Sequence, residues 1–495
     1  NALGVIVMPL VFVHSQGSLR LTVEFVVLKD ATCNYLIFGN DTFCLYGIDV
    51  FQSKDRYFTI GGEWKRKFQI CNINPMVETD PKKEKFRKEY LSQASLDTKL
   101  QEEQLEDLLN LCYHNELAFC TTDHPIGNVQ GHDINIQLTV SPPYPPALRK
   151  PPYPASPKSR IALEEHIGEL QKLKVLRKVG HNELVEITTP VIIAWHNDKS
   201  RMVGDFRMFN NYTKADHYPI PRIDHSLHNL TKAKYITTMD MLKGFHQIPI
   251  SPESRKFMRI ICHLGIYEYL RMPFGIKNAP SHFQRMMDTV FGQFIRQGWV
   301  LVYIDDVIIF SDDWDTHIKQ IGIILQTVIK VGLKISIKKC NFGYGELRAL
   351  GHIVSGLTLT IDKNKIAPVL NRSLPQSKTE LLSFVCFCSY YRQFIPHFAH
   401  IAKCLYSACT KEAMFEMTHE RVMAYEELKR LMTTAPVLAQ PDYSKPFKLY
   451  IDACMEGLGA ALHQVHIEND IPVEKPILFI SRQIKDTEKR YGASQ

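Results

Sequence analysis

Two adjacent acids, Asp305 and Asp306, sit inside Trp299–Phe310 (WVLVYIDDVIIF), an otherwise apolar run of β-branched and aromatic residues. Such a run predicts two buried strands joined by a tight turn, with the acidic pair at or beside its tip. The closest cations along the chain are Arg296 behind and Lys319 ahead. Two neighbouring carboxylates in a poorly solvated place cost several kcal/mol unless something positive meets them. A divalent ion bound through hard oxygen ligands is the economical partner, and Mg²⁺ suits carboxylates that share it with phosphates. The plainer reading is a solvated Asp-Asp hairpin turn, which the apolar flanks and the lack of a cation disfavour.

A third carboxylate has a similar setting. Lys234–Asp240 (KYITTMD) reads as a strand ending in its acid, followed by Met241-Leu242-Lys243-Gly244-Phe245. A lone Asp at a strand end is usually a cap or turn residue, so the reading of Asp240 depends on its company. Three carboxylates on neighbouring strand ends could hold two divalent ions in line with a phosphoryl transfer. One ion would lower the pKa of an attacking 3′-hydroxyl, and the other would neutralise a triphosphate and stabilise its departing pyrophosphate.

The elements around these acids follow from periodicity and breakers. Residues 1–70 read as all-β, in short Val/Ile/Phe-rich runs separated by Gly, Asn and Asp. Ala2–Val13 is apolar enough to imitate a signal-peptide core. It lacks a basic leader, however, and runs into the alternating Leu19–Phe25, so it too reads as strand. Pro81–Lys85 is expected to be a charged linker, and a helix is expected around Leu105–Cys112. Residues 141–157 hold eight prolines and should be extended, with no helix. A helix is expected over Ile161–Val175. From there to about residue 370 strands and helices mix irregularly, which favours α+β over a doubly wound sheet. Residues 375–435 look mostly helical, including Glu420–Met432. Beyond Pro436 strands return, with Phe447–Ile451 alternating into Asp452.

Bulk properties fit this picture. A chain of 495 residues should form several domains. Lys and Arg number 59 against 52 Asp and Glu, a net charge of +7, which permits a polyanionic partner without requiring one. The 12 cysteines include no CxxC pair, and Cys386-x-Cys388 has no His partners at zinc spacing. They read as buried thiols in a reducing compartment, which argues against a disulfide scaffold. No other apolar run reaches the ~20 residues a membrane span needs, so no membrane association is expected.

Here the residues resemble a known family. Tyr303-Ile304-Asp305-Asp306 is similar to the YxDD box of reverse transcriptases. Asp240 with Lys243–Ile248 (KGFHQI) resembles their first carboxylate motif, in the form seen in gypsy-class LTR retrotransposons. Arg271–Pro280 (RMPFGIKNAP), continuing into Ser281-His282-Phe283-Gln284, is similar to their nucleotide-pocket motif. Leu350-Gly351-His352 with Lys339-Cys340 resembles the primer-contacting segment, and Tyr390-Tyr391-Arg392 the downstream connection. Several motifs in order over some 200 residues are far more specific than one YxDD.

The resemblance implies an α+β right-hand polymerase fold of fingers, palm and thumb, with fingers and palm at 158–360 and thumb or connection helices at 361–440. A linker with a short helix and the Pro-rich segment would occupy 71–157. It implies Asp240, Asp305 and Asp306 as catalytic metal ligands for two Mg²⁺ ions, with Mn²⁺ as the alternative. Phe245 would block a ribose 2′-hydroxyl, although for an arbitrary Phe a core role is the better guess. Phe274 and Gly275 would floor the nucleotide pocket, and Leu350, Gly351 and His352 would contact the primer. Arg201 would hold the incoming triphosphate. The usual Lys-rich turn before it reads His196-Asn197-Asp198-Lys199 here and the expected Trp is missing, so Lys199 would have to supply the charge. Phe283, Met287, Val290, Phe291 and Phe294 share a helical face and are expected to be core.

Tyr35–Asp41 and Leu45–Asp49 resemble the carboxyl half of a retropepsin-type protease within residues 1–70. No DTG or DSG loop accompanies them, so no protease activity is expected. Residues 441–495 resemble the start of a ribonuclease H domain, with Asp452 its first metal ligand and too few partners for cleavage. The expected activity is RNA-directed DNA polymerisation on an RNA or DNA template with a primer, using deoxynucleoside triphosphates. The setting would be intracellular, in the cytoplasm, a virus-like particle or the nucleus, not secreted, with an oligomer or other polyprotein products as further partners. The alternatives are an inactive relic that only binds nucleic acid and, behind it, a two-metal nuclease, in which Phe245 and Met272–Pro280 have no role.

Overall fold

The computed structural model describes residues 82–485 and 488, apart from 123, 197, 224–226, 228–229, 231–232, 411, 454–456 and 469–470; before residue 82 it gives the backbone of five strands. The chain divides into two units, Asn1–Glu84 and Lys85–Gln495. In the first, Ala2–His14 pairs antiparallel with Gly17–Leu28, and Ile48–Phe51, Tyr57–Ile60 and Phe68–Gln69 form a second antiparallel sheet. The protease-like residues 35–41 and 45–47 lie outside the described residues.

Pro81–Lys85 spans the boundary between the two units, but it is helical. It opens the helix Pro81–Glu89, with proline in the first turn and Arg87 and Lys88 in the last, where they oppose the helix dipole. The charge run is its solvated side, and Phe86 is 3% exposed and packs on Tyr113 and Phe119. The Pro-rich segment is also not uniformly extended. Pro146–Leu148 forms a single 3₁₀ turn, because Leu148 is drawn into the core. The next helix runs Pro157–Lys172, with Ser156 Oγ accepting from the Ser159 N–H, so it begins and ends earlier than Ile161–Val175.

A five-stranded sheet carries the acids, in the order Val300–Tyr303, Asp306–Ser311, Tyr235–Asp240, Asn341–Tyr344 and Ser95–Leu96. Its second strand is buried on both faces. Val307 and Ile309 enter one core with Phe283, Met287 and Phe291 of the helix Ala279–Gln297. Ile308 and Phe310 enter another with Leu381, Phe384 and Tyr425, from the helices Lys378–Tyr390 and His419–Thr433. Burial on both sides explains why the run is apolar at every position rather than alternating.

Among the described residues the second unit holds three more sheets. One is ordered Leu176–Lys178, Gly265–Tyr269, Arg259–Cys262, Thr189–His196 and Lys199–Gly204. In it Arg177 and Arg259 interleave with Glu183 and Glu268, at 2.5–3.1 Å. The next joins Glu346–Ala349, His352–Ser355, Thr358–Ile361 and Leu438–Ala439, and the last joins Phe447–Ala453, Gly457–Glu468 and Ile471–Gln483. This is the mixed α+β class. Among the described residues no helix is long and apolar enough to cross a membrane.

Candidate active site

The hairpin closes through a two-residue turn, since Tyr303 and Asp306 are the last paired residues and Ile304-Asp305 lie between them. On the other side of the same strand, Asp306 is directly opposite Asp240. Residues paired in this way put their side chains on one face with Cβ atoms about 4.5–5.5 Å apart. The Met241 N–H donates to the Asp305 carbonyl at 3.1 Å and the Ser336 N–H to the Asp240 carbonyl at 2.9 Å, which fixes the strand ends to each other and to the segment before Asn341. The three acids thus share one end of one sheet.

Their charges are poorly matched to their surroundings. Burial pushes the Asp306 carboxyl up to about 6, and the charges of Asp305 and Asp240 push the same way. Asp305 is raised too, first by burial and then by Asp240. A cation does meet the group, from a residue 99 positions beyond Asp240 in the chain. Lys339, ending the 3₁₀ turn Ile337–Lys339, places Nζ 2.9 and 3.0 Å from the two oxygens of Asp240. With Asp240 engaged there, no group of three or more His, Cys, Asp or Glu among the described residues is gathered tightly enough to hold a metal as it stands. The expected cage exists in the backbone register and is not closed in the side chains.

The loop after Asp240 is held rigidly. Lys243 is left-handed at φ 48° and starts the 3₁₀ turn Gly244–Gln247. The buried Gln247 amide donates to the carbonyls of Leu242 and Lys334 at 2.7 and 2.9 Å and accepts the Lys334 N–H at 2.7 Å. Phe245 is half-buried, its ring 5.5 Å from Phe283 and 5.1 Å from Phe274. Phe274 is 52% exposed, so this aromatic pair has one open side. Gly275 is required by its backbone, at φ +91°, and not by close packing, because a Cβ there would meet nothing nearer than 3.6 Å. Asn210 fixes it, donating to the Gly275 carbonyl at 2.9 Å and accepting the Lys277 N–H at 2.8 Å.

Other expected residues lie apart. Arg201 and Lys199 are exposed on the hairpin Thr189–His196/Lys199–Gly204, in a different sheet from the acids. Leu350 and Gly351 form the left-handed turn between Glu346–Ala349 and His352–Ser355. His352 is 1% exposed, its ring packed among Tyr390, Tyr391 and Phe394. It therefore supports the turn instead of presenting its ring. Tyr390 and Tyr391 donate to the Leu350 and Gly351 carbonyls at 2.5 and 3.1 Å. A cavity of about 280 Å³ between this turn and the hairpin is lined by Tyr303, His352, Tyr390, Arg222 and Arg392. Asp452 is exposed on Phe447–Ala453, beside a separate cavity of about 210 Å³ that His397 also lines. Lys339 stood within a recognised motif, but nothing local signalled its ion pair. Gln284 also stood at the end of a recognised motif, with nothing to signal its bond to the Ile304 N–H, and His317 gave no signal beyond helical spacing.

Residues 193–354 match the family model described as reverse transcriptase (RNA-dependent DNA polymerase). The chain carries a reverse transcriptase domain. Residues 417–495 match the RNase H-like domain found in reverse transcriptase. The retrovirus-related Pol polyprotein from transposon 297 of Drosophila melanogaster is 33% identical over 472 residues, 94% of this chain and 42% of that protein. The corresponding polyprotein from transposon gypsy of the same organism is 34% identical over 314 residues, 61% of this chain and 30% of that protein. Both are retrovirus-related Pol polyproteins, and this chain spans less than half the length of either. A foamy viral protease-reverse transcriptase solved with dsDNA has TM-score 0.68 and 22% identity, over 83% of this chain and 82% of that one. The same viral protein solved with an RNA/DNA hybrid has TM-score 0.67 and 20% identity, over 98% and 60%. That likeness establishes the fold.

Proposed function

We propose that this chain is an RNA-directed DNA polymerase, extending a primer 3′-hydroxyl with deoxynucleotides on an RNA or DNA template. The observation that carries this is the register that sets Asp240 opposite Asp306 with Asp305 on the adjoining turn. In this reading the five-stranded sheet is the palm, the sheet carrying Arg201 the fingers, and the helices after residue 361 the thumb and connection.

The donor set fits divalent ions. Asp305 and Asp306 are all-oxygen ligands whose charge is disfavoured by burial and by each other, a state that added positive charge relieves. Mg²⁺, or Mn²⁺ in its place, would supply acidification of the 3′-hydroxyl and charge neutralisation on the triphosphate. The chain's own residues do the rest. The Asp240 carboxylate leaves Lys339 to join the other two. Phe245, backed by Phe283, closes the space beside the sugar, and Phe274 with Gly275 floors the base. Arg201 and Lys199 reach the triphosphate from the fingers. Leu350 and Gly351, pinned by the two tyrosines, meet the primer strand through their backbone. Template contacts fall mainly on phosphates and are therefore strongly salt-dependent. Asp452 is the first ligand of the ribonuclease H-like domain.

The test is primer extension on an RNA template, with and without Mg²⁺, by wild type and Asp305→Asn. The variant should lose at least about a thousandfold in rate while keeping hybrid affinity. Wild-type extension by Asp305→Asn would sink the mechanism. Hybrid binding by the wild type with no extension at all would favour the relic.

A further inference from the structure

We propose that Gln284 is a positioning residue that holds the Asp305 turn in an otherwise unfavourable backbone conformation. This rests on the polymerase reading above. Ile304 lies at φ +53°, and it alone of the two turn residues is left-handed. In a two-residue hairpin that is the II′ pattern, whose first position normally takes glycine. A β-branched side chain there is a genuine outlier, and such outliers persist only where the surroundings impose them.

The imposing group is the Gln284 side chain. It is 0% exposed within the helix Ala279–Gln297, and its Oε1 accepts the Ile304 N–H at 2.7 Å. Its Nε2 donates to Asp288 Oδ1 at 2.8 Å and to the Val302 carbonyl at 3.3 Å, so the amide cannot turn over. Asp288 is anchored in turn by the Tyr218 hydroxyl at 2.7 Å, with the Arg285 guanidinium 4.8 Å over the Tyr218 ring. The turn is thereby gripped on both sides of its strained residue: the Asp305 carbonyl by the Met241 N–H, and the Tyr303–Ile304 peptide N–H by Gln284. A Gln fixed by three partners next to a carboxylate that must be aimed within a fraction of an ångström is a positioning device.

Gln284→Met keeps the volume and removes the acceptor. Single-turnover addition at saturating dNTP should slow by at least about tenfold, with KM for dNTP within about threefold. Glycine adopts positive φ unaided, so in an Ile304→Gly background the same replacement should cost less than about twofold. Equal costs in both backgrounds overturn the proposal. Hydrogen exchange over residues 303–306 reads the link without turnover: Gln284→Met should speed it, and unchanged protection is a refutation. If wild type fails to extend any primer, the polymerase reading falls while the exchange result still decides Gln284. Should Gln284→Met not fold, Asp288→Ala at its half-buried site frees the same amide. It should give the same faster exchange and the same rescue by Ile304→Gly, and the absence of either counts against Gln284.

Discussion

Lys339 Nζ lies within hydrogen-bonding distance of both carboxylate oxygens of Asp240, at 2.9 and 3.0 Å. An ammonium in that place competes with any divalent ion for the same lone pairs and repels it. The Lys339 side chain is 56% exposed, so solvent screens the pair and its worth is small. Lys339→Met should tighten Mn²⁺ binding to the nucleic-acid-free protein by about threefold to tenfold. The isotherm is read by electron paramagnetic resonance of free Mn²⁺, independent of turnover. Unchanged or weaker binding would show that Asp240 is not part of the ion site.

Ion binding should also depend on pH through Asp306, whose carboxyl is held up at about 6. Below that value the folded protein keeps its proton, which an ion must displace. Mn²⁺ affinity should therefore fall as pH drops from 7.5 to 5, by about tenfold per unit once below pH 6. For the ion-free protein the sign is opposite. A raised carboxyl stabilises the fold at low pH, and that contribution is lost as pH rises from the ordinary value of 3.8 through about 6. Affinity that stays flat across this range would remove Asp306 from the ligand set.

These two aspartates show what could be read in the chain and what could not. Apolar flanks made the Asp305–Asp306 hairpin legible, because a strand buried on both faces leaves a continuous hydrophobic run. The Asp240 strand was legible from its β-branched Ile236, Thr237 and Thr238, but its register with Asp306 is a tertiary fact. Lys339 was hidden because an ion pair across 99 residues has no local signature. The helix Pro81–Glu89 was missed because its charge run hid any apolar periodicity: within residues 82–89 Phe86 is the one buried side chain. Gly275 was legible as a special residue, though its reason is backbone sign instead of close approach.

Phe245 should control the choice of sugar. Its ring is fixed by Phe283 at 5.5 Å behind and Phe274 at 5.1 Å beside it, so it cannot easily withdraw. Phe245→Ala opens that wall. The ratio of kcat/KM for a deoxynucleotide over its ribonucleotide should drop by at least about tenfold, whatever happens to the absolute rate. A preserved ratio would return Phe245 to the core.

His317 should hold together the two strands that carry the acids. It is fully buried, with Nδ1 2.7 Å from Ser311 Oγ on one strand and Nε2 2.8 Å from Thr237 Oγ1 on the other. Burial pushes the imidazole down to about 4 from its ordinary 6.5. The unfolded chain therefore takes the proton first. The stability this neutral ring contributes is complete above pH 6.5 and is lost as pH falls through about 4, about 3 kcal/mol in all. His317→Leu removes the partner of the Ser311 hydroxyl and leaves Thr237 Oγ1 with the Gly343 N–H, and it should cost about 2–4 kcal/mol at pH 7.5, read from the urea midpoint. The gap between variant and wild type should then narrow as both are titrated towards pH 4.5. His246, also buried and held near 4, contributes the same slope to both proteins and cancels in the difference. A gap that does not change with pH would mean that His317 packs without acting as a neutral hydrogen-bonded clamp.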